Sequence, residues 1–235
     1  MKYKSLAITL TYIKQGENSI ISKILTEEKG LQTFIIKGVR SKNSKKKLSY
    51  FEPLKLLNID ATFDAKKSLQ YLGDVTIAYG INSPINKIRK NFIAFFIAEV
   101  GSKVLQENEQ NTAVFNFIWN TTIKLYSEEK IDPNFALKYL LNLSKFLGFY
   151  PSLAEINKPF FNLESGDFFY KKDSKKHCIS KGQSNYLKAL LNKQKITIPQ
   201  QQKSELLKEL LRYYKLNYYN LDDITSHLVI ETLRK

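Results

Sequence analysis

Residues 1 to about 80 alternate between apolar and polar side chains with the period of two that is typical of β-strands. The runs cover residues 5–13, 19–26, 31–37, 51–59 and 68–79. Gly30 stands before the third run, where a glycine can adopt the positive φ of a hairpin turn. Five short strands followed by a helix predict a small closed barrel of the OB type, although an SH3-like barrel has the same strand count.

Beyond Gly80 the apolar positions recur with the helical period of 3.6. Ser83 and Pro84 provide an N-cap and a proline at the first helical position, and the helical pattern then continues to Leu105. Further helices are predicted over residues 112–126, 132–147, 185–191, 199–214 and 221–233. This second region therefore has the pattern of a helical bundle.

Residues 151–182 interrupt the helical pattern, and residues 160–170 within them predict a small hairpin with Gly166 at its turn. The predicted fold class is therefore α+β, with a five-stranded OB-type barrel followed by a helical bundle that carries a hairpin insertion. The predicted domains are residues 1–80 and 81–235, with the insertion at about residues 151–182.

The charge of the chain is strongly unbalanced, because 37 lysines and arginines against 22 acids give a formal net charge of +15 on 235 residues. This excess favours association with nucleic acid or with an anionic membrane. The longest apolar segment, residues 92–98, is much too short to span a bilayer, so no membrane association is predicted. The single cysteine, Cys178, excludes an internal disulfide and predicts a cytoplasmic location.

The highest density of charge follows the third predicted strand, where residues 37–47 carry six basic side chains. No acidic residue occurs between Glu28 and Glu52, so the pattern predicts a flexible cationic loop leaving the barrel. Such a charge run is often only a solvated surface, but its position on a barrel favours binding to phosphates. The candidate nucleic-acid-binding side chains are Lys37, Arg40, Lys42, Lys45, Lys46, Lys47, Lys66 and Lys67.

Aromatic residues occur throughout the same predicted domain and are candidates for stacking on bases. Aromatic side chains in small barrels more often belong to the core, and the sequence does not separate the two roles. The candidates are Tyr3, Tyr12, Phe34, Tyr50, Phe51, Phe63 and Tyr71.

Residues suited to catalysis are few. His177 and His227 are the only histidines, Cys178 lies in no activating motif, and the chain lacks the GxxxxGK[ST] and GxGxxG phosphate-binding motifs. Local structure explains each carboxylate pair as a turn, a helix end or a first helical turn, and these pairs are Glu27–Glu28, Glu128–Glu129 and Asp222–Asp223. The sequence therefore predicts a protein that is not an enzyme and that needs no cofactor.

An ordered set of short motifs runs through the chain. In the barrel region these motifs are Gly16-Glu-Asn-Ser19, Leu25-Thr-Glu-Glu-Lys-Gly30, Lys37-Gly-Val-Arg-Ser-Lys42, Phe51-Glu-Pro-Leu54 and Leu69-Gln70. The third predicted helix ends in the segment from Leu143 to Pro151. No single motif is specific, but their order resembles the RecO family of bacterial DNA repair and recombination mediators, whose third helix has a similar L-x-x-L-G-Y ending.

The resemblance implies an OB-fold joined to a helical domain that binds single- and double-stranded DNA without sequence specificity and anneals complementary strands. It also implies cooperation with RecR to help RecA replace the single-strand binding protein SSB, and contact between the helical domain and the acidic C-terminal tail of SSB. Lys37, Gly38 and Arg40 match the family's K-G-x-R motif, and Lys42 and Lys45 to Lys47 extend it. The implied location is the cytoplasm, in association with the nucleoid.

The chain departs from the family at the insertion, where many relatives carry four cysteines that form a zinc site. Here the region contains only Cys178 and His177, so we expect no zinc. Apolar contacts of Phe160, Phe161, Phe168 and Phe169 are expected to hold the hairpin instead. The alternative function is a basic adaptor that holds an acidic protein partner and binds DNA only incidentally.

Overall fold

The computed structural model describes residues 1–39, 41, 46–80, 87–170 and 177–226. The chain divides into two compact units, Met1–Lys130 and Ile131–Lys235. The first unit contains five strands and the first two helices, and the second contains the remaining helices and a small hairpin. The domain boundary near residue 80 stays a prediction.

The five strands of the first unit form a closed barrel in the order β1-β2-β3-β5-β4. All neighbouring strands are antiparallel except β3 and β5, which are parallel. The prediction of an α+β fold with a five-stranded closed barrel is confirmed. The strands are β1 (Lys2–Gln15), β2 (Ser19–Thr26), β3 (Gly30–Ile36), β4 (Leu56–Thr62) and β5 (Gln70–Ile77).

Inward-pointing side chains of every strand fill the barrel, which is what the period-two alternation requires. Each large apolar side chain buried in this way contributes roughly 1.5–3 kcal/mol to folding. The buried cluster consists of Ala7, Ile20, Ile24, Phe34, Ile36, Val39, Phe51, Leu57, Ile59, Ala61 and Leu72.

The connection from β3 to β4 is held to this core at both ends. Val39 and Phe51 are buried in the cluster, and the Thr9 hydroxyl donates a hydrogen bond of 2.5 Å to the Glu52 carbonyl. The predicted strand over residues 51–59 is wrong in its first half, because Leu48–Phe51 forms a short 3-10 helix and Leu54 has a φ of 57°. The strand begins only at Leu56.

Two helices, α1 (Lys87–Val104) and α2 (Thr112–Ser127), complete the first unit. The predicted start of α1 at Ser83 and Pro84 lies outside the described residues. Asn111 caps α2, since its side chain accepts a hydrogen bond from the backbone N–H of Val114. Lys90 is buried in α1, and its Nζ donates to the Tyr126 carbonyl in the last turn of α2 at 3.0 Å.

The second unit contains α3 (Phe135–Phe146), α4 (Lys181–Leu191) and α5 (Gln200–Leu216). The predicted start of α3 at Asp132 is wrong by three residues, because the Asp132 carboxylate accepts from the Asn134 N–H in a turn before the helix. Helix α4 begins earlier than predicted, since the Ser180 side chain caps it by accepting from the Gln183 N–H.

The predicted helix over residues 221–233 is described only as far as Ser226, and Asp222 and Asp223 lie in a turn instead of a first helical turn. His227 and the remainder of that prediction lie outside the described residues.

The predicted hairpin is present as β6 (Phe160–Phe161) and β7 (Phe168–Phe169), with Gly166 between them. The Phe161 and Phe168 rings are buried with centroids 4.9 Å apart, and Phe160 and Phe169 pair at 6.0 Å. The prediction that phenylalanine contacts hold this hairpin is confirmed. The α5 residue Tyr213 adds an edge contact to Phe161 at 5.6 Å.

Candidate nucleic-acid interface

The predicted basic loop leaves the barrel through a tight turn at Gly38. Gly38 has a φ of 72°, and in the described part of the chain no heavy atom lies within 4 Å of an added Cβ. The glycine is therefore required for the bend and not for a close approach. The backbone N–H and the hydroxyl of Ser41 both donate to the Gly38 carbonyl, at 3.1 and 2.8 Å, which fixes the turn.

The lysines of this loop have different surroundings. Lys37 and Lys47 are exposed to solvent. Lys46 donates from Nζ to the Leu72 carbonyl at 2.7 Å and lies 5.8 Å from the centre of the Tyr71 ring. Partial burial lowers the pKa of Lys46, opposed by the nearby Asp74 carboxylate. Lys46 thus attaches the loop to β5.

Arg40, Lys42 and Lys45 lie outside the described residues. The described residues of the basic loop that match the prediction are Lys37, Gly38, Lys46 and Lys47, which we call the β3–β4 group.

Lys66 and Lys67 are exposed on the loop between β4 and β5, and we call them the β4–β5 group. The buried side chain of Gln70 accepts from the Asp64 N–H and donates to the carbonyls of Asp64 and Lys67, which holds the loop in shape. The Lys67 ammonium lies 3.7 Å from the Asp64 carboxylate. This pair is solvent-exposed, so it is worth at most about 1 kcal/mol and is easily exchanged for a phosphate.

Along the strand direction, the β4–β5 group precedes the pairing of β3 with β5 and Lys37 follows it. Gln70 pairs with Phe34 in the parallel ladder, so the loop before Gln70 lies toward the β2–β3 turn. The contact of Lys29 with the Phe63 ring, at 5.7 Å, is consistent with this placement. Lys37 instead follows the last residue of β3. The structure therefore does not bring the predicted lysines into a single cluster.

The candidate aromatic residues separate clearly by burial. Phe34 and Phe51 are fully buried, and Tyr3, Tyr12 and Tyr50 pack against the barrel core. Burial raises the pKa of Tyr3 to about 12. Tyr71 is 58% exposed on the outer face of β5. Tyr71 alternates along β5 with Gln70 and Leu72, both of which are buried, so its side chain points outward.

Strand register also brings three isoleucines, which were not predicted as site residues, into one row with Tyr71. Ile13 pairs with Ile21, Ile21 with Ile35, and Ile35 with Tyr71. Residues that are directly paired point to the same face of a sheet, so these four form one outward row across β1, β2, β3 and β5. We call Ile13, Ile21, Ile35 and Tyr71 the outer row.

Acidic side chains also lie beside Tyr71, because Asp60 and Asp74 line a groove together with Tyr71, Lys2 and Lys4, and both also line a second, more acidic groove. This second groove, of about 560 Å³, is lined by the carboxylates of Glu27, Glu28, Asp60 and Asp74, together with Lys4. The Lys4 ammonium lies 3.7 Å from Asp60. Negative charge in this groove repels phosphates, so the barrel does not offer a uniformly cationic surface.

The side chains considered for catalysis have structural contacts. The His177 Nδ1 lies 3.1 Å from the Arg212 guanidinium, and Cys178 forms an isolated bridge with Asn162 beside the hairpin. Among the residues that the structure describes, no three His, Cys, Asp or Glu side chains are grouped so as to hold a metal ion. The described helices include none with the length and apolar character of a membrane span.

Comparison with known proteins identifies relatives along the whole chain. Residues 1–81 match the family model described as Recombination protein O N terminal, and residues 85–222 match Recombination protein O C terminal. The DNA repair protein RecO of Flavobacterium psychrophilum is 32% identical over 244 aligned residues, which cover 100% of this chain and 99% of the relative.

Two further relatives carry the same name. The protein from Azobacteroides pseudotrichonymphae is 27% identical, with 99% of both chains covered. The protein from Christiangramia forsetii is 32% identical, with 90% of both chains covered. The family resemblance drawn from the short motifs is therefore confirmed.

Proposed function

Because this chain belongs to the RecO family of DNA repair proteins, we propose that it is a recombination mediator that binds single- and double-stranded DNA without reading their sequence. It anneals complementary strands and, together with RecR, helps to load RecA onto DNA coated with SSB. The observation that carries this proposal is the closed barrel, which presents exposed lysines on both sides of the β3–β5 pairing in a chain of net charge +15.

The proposed DNA contacts follow from the chemistry of lysine. An ammonium is a point charge that neutralises a phosphate without selecting a base, and each contact releases condensed counterions. Lys37, Lys47, Lys66 and Lys67 supply such contacts at the barrel, together with Arg40, Lys42 and Lys45. Lys46 contributes its charge from its position beside Tyr71.

Annealing follows from the same charges, because two strands repel each other less when a cationic surface neutralises both. Their base edges remain free to pair, since lysine–phosphate contacts carry no sequence information. The proposed activity makes and breaks no covalent bond, and it takes place in the cytoplasm at the nucleoid.

The domains have different proposed roles. Residues 1–80 bind DNA, while residues 81–235 contact the acidic C-terminal tail of SSB, to which a basic protein is electrostatically complementary. Contact with RecR is proposed from the family alone, and RecA is reached indirectly.

The test is a strand-annealing assay in which fluorescence energy transfer reports the pairing of two complementary labelled oligonucleotides. We expect the wild-type protein to accelerate pairing and the variant K47E/K66E/K67E to accelerate it much less. The matched control is K181E/K193E/K195E, which makes the same change in net charge at exposed lysines of the second unit. Retained annealing by the first variant would contradict the assignment of these lysines. An adaptor for an acidic protein would bind its partner without accelerating pairing at all.

A further inference from the structure

The outer row is an exposed apolar strip on an otherwise polar face. Ile13 is 64% exposed and Tyr71 is 58% exposed, and Ile21 and Ile35 between them are half-buried. The residues on either side of Ile35 and Tyr71 along their strands are buried in or against the core. With a spacing of about 4.8 Å between strands, the row extends roughly 14 Å from Ile13 to Tyr71.

A segment of the same unit covers the outer face of the barrel next to this row but not the row itself. The Glu107 carboxylate accepts from the Thr33 hydroxyl at 2.7 Å and lies 3.8 Å from Lys23. The Asn108 N–H donates to the Leu31 carbonyl at 3.0 Å. This cover thus reaches Thr33 on β3, two residues before Ile35, and the outer row begins where it ends.

Lysines border the strip, and beside Tyr71 they are accompanied by the carboxylates of Asp60 and Asp74, which line the same groove. Exposed Lys37 directly follows β3, two residues beyond Ile35, and the Lys46 ammonium lies 5.8 Å from the Tyr71 ring centre. Exposed Lys2 pairs with Thr62, which pairs in turn with Tyr71, so a lysine also follows the row on β1. Lysines thus outnumber carboxylates beside the strip, and an apolar strip with such a border complements a ligand that has flat apolar surfaces attached to an anionic chain.

Single-stranded nucleic acid has this chemistry, and duplex DNA does not, because pairing hides the faces of its bases inside the stack. A peptide of acidic residues alone would satisfy the lysines, but it would leave the apolar row exposed to water. A tyrosine ring stacks on any base, since every base has a π-face. The geometry therefore favours an unpaired strand over the other polyanions.

We propose that the outer row is a stacking platform for unpaired bases, with Tyr71 as the principal contact and Ile35, Ile21 and Ile13 supporting the neighbouring bases. This inference rests on the proposed function and deepens it by naming the form of DNA that the barrel prefers. It also predicts that the protein releases the product of annealing, because the bases of a strand no longer contact Tyr71 once they pair with the complementary strand. The duplex product is then held by its phosphates alone and is released more easily.

The test compares binding of three probes by fluorescence anisotropy at one salt concentration. The probes are an oligothymidylate, an abasic strand of the same length and a duplex of the same length. We expect Y71A to weaken binding to oligothymidylate about five- to 150-fold, which corresponds to stacking on one base. Its affinity for the abasic strand and the duplex is expected to match that of the wild type. Y71F keeps the ring and should behave like the wild type.

Two controls separate stacking on the outer row from a general effect of losing a tyrosine and from an effect on Lys46. Y218A removes a tyrosine that is 99% exposed in the second unit and should change no affinity. Ile35→Ser tests the row independently of the Lys46 contact and should also weaken only the oligothymidylate complex. Equal weakening of all three probes by Y71A, or no weakening, would overturn the platform. If Y71A changed the oligomeric state, measured by sedimentation, but not the base-dependent part of the affinity, the row would instead be a contact with a second copy of this chain.

The outcomes also distinguish this inference from the proposed function. A wild-type protein that binds none of the three probes would refute DNA binding itself. A wild-type protein that binds all three equally, with no base-dependent effect of Y71A, would refute the platform and leave the lysine contacts in place.

Discussion

Replacement of Lys66 and Lys67 by glutamine tests whether the β4–β5 group contacts phosphates. Each lysine that neutralises a phosphate adds about 0.9 to the slope of log affinity against log salt for a duplex, and about 0.7 for a single strand. Loss of both contacts should reduce the slope by about 1.8 for the duplex and about 1.4 for the single strand. With one phosphate contact per lysine, the loss of Lys66 alone should reduce each slope by half of these values.

The assay is fluorescence anisotropy of a labelled duplex and of one of its strands at salt concentrations from about 50 to 200 mM. Glutamine is the better replacement here because it removes the charge without introducing repulsion. K193Q/K195Q is the matched control, since both lysines are exposed in the second unit. Unchanged slopes for K66Q/K67Q, or an equal reduction for the control, would refute a contact between these two lysines and DNA.

Two further predictions concern stability. Gly30→Ala should lower the free energy of unfolding by on the order of 2–4 kcal/mol, because φ is 65° and the new Cβ would lie 2.0 Å from the Glu109 carbonyl oxygen. Gly16→Ala is the control with a φ of 61° and open space in the described structure, and in urea denaturation it should cost only about 1 kcal/mol. Burial raises the pKa of Tyr3 and of Tyr126 to about 12, so the unfolded chain loses these protons first as pH rises. Stability should therefore be complete below about pH 10 and fall between pH 10 and 12, less steeply in Tyr126→Phe, and a flat profile would contradict this.

The alternation of side chains predicted the barrel well because burial on one face is a local property of each strand. It failed over residues 51–55, where Phe51 is buried as expected but belongs to a 3-10 helix. Pro53 was a usable signal against a strand there, since proline has no N–H to donate to a ladder. The cap at Ser180 was likewise visible in the sequence and would have placed the start of α4 correctly.

The candidate site was less predictable because it depends on pairing between distant segments. The sequence indicated which side chains are basic, but not that Lys46 attaches to the Leu72 carbonyl or that Lys66 and Lys37 lie on opposite sides of the β3–β5 pairing. The outer row requires three strand registers at once. A slip of one residue in any of them would turn part of the row into the core, so no local pattern predicts it.

The distribution of charge on the barrel helps to explain how one small surface serves both capture and release of DNA. If all the lysines were clustered, a duplex with its denser phosphates would be held more tightly than either strand, and annealing would be inhibited by its own product. Here Lys37 and the β4–β5 group lie on opposite sides of the Ile35–Tyr71 pair along the strand direction, and Asp60 and Asp74 line the groove beside Tyr71. Stacking then adds to the affinity for a strand only while its bases are unpaired. The proposed platform thus offsets the electrostatic preference for the duplex, and loss of Tyr71 should slow turnover in annealing more than it slows the first pairing event.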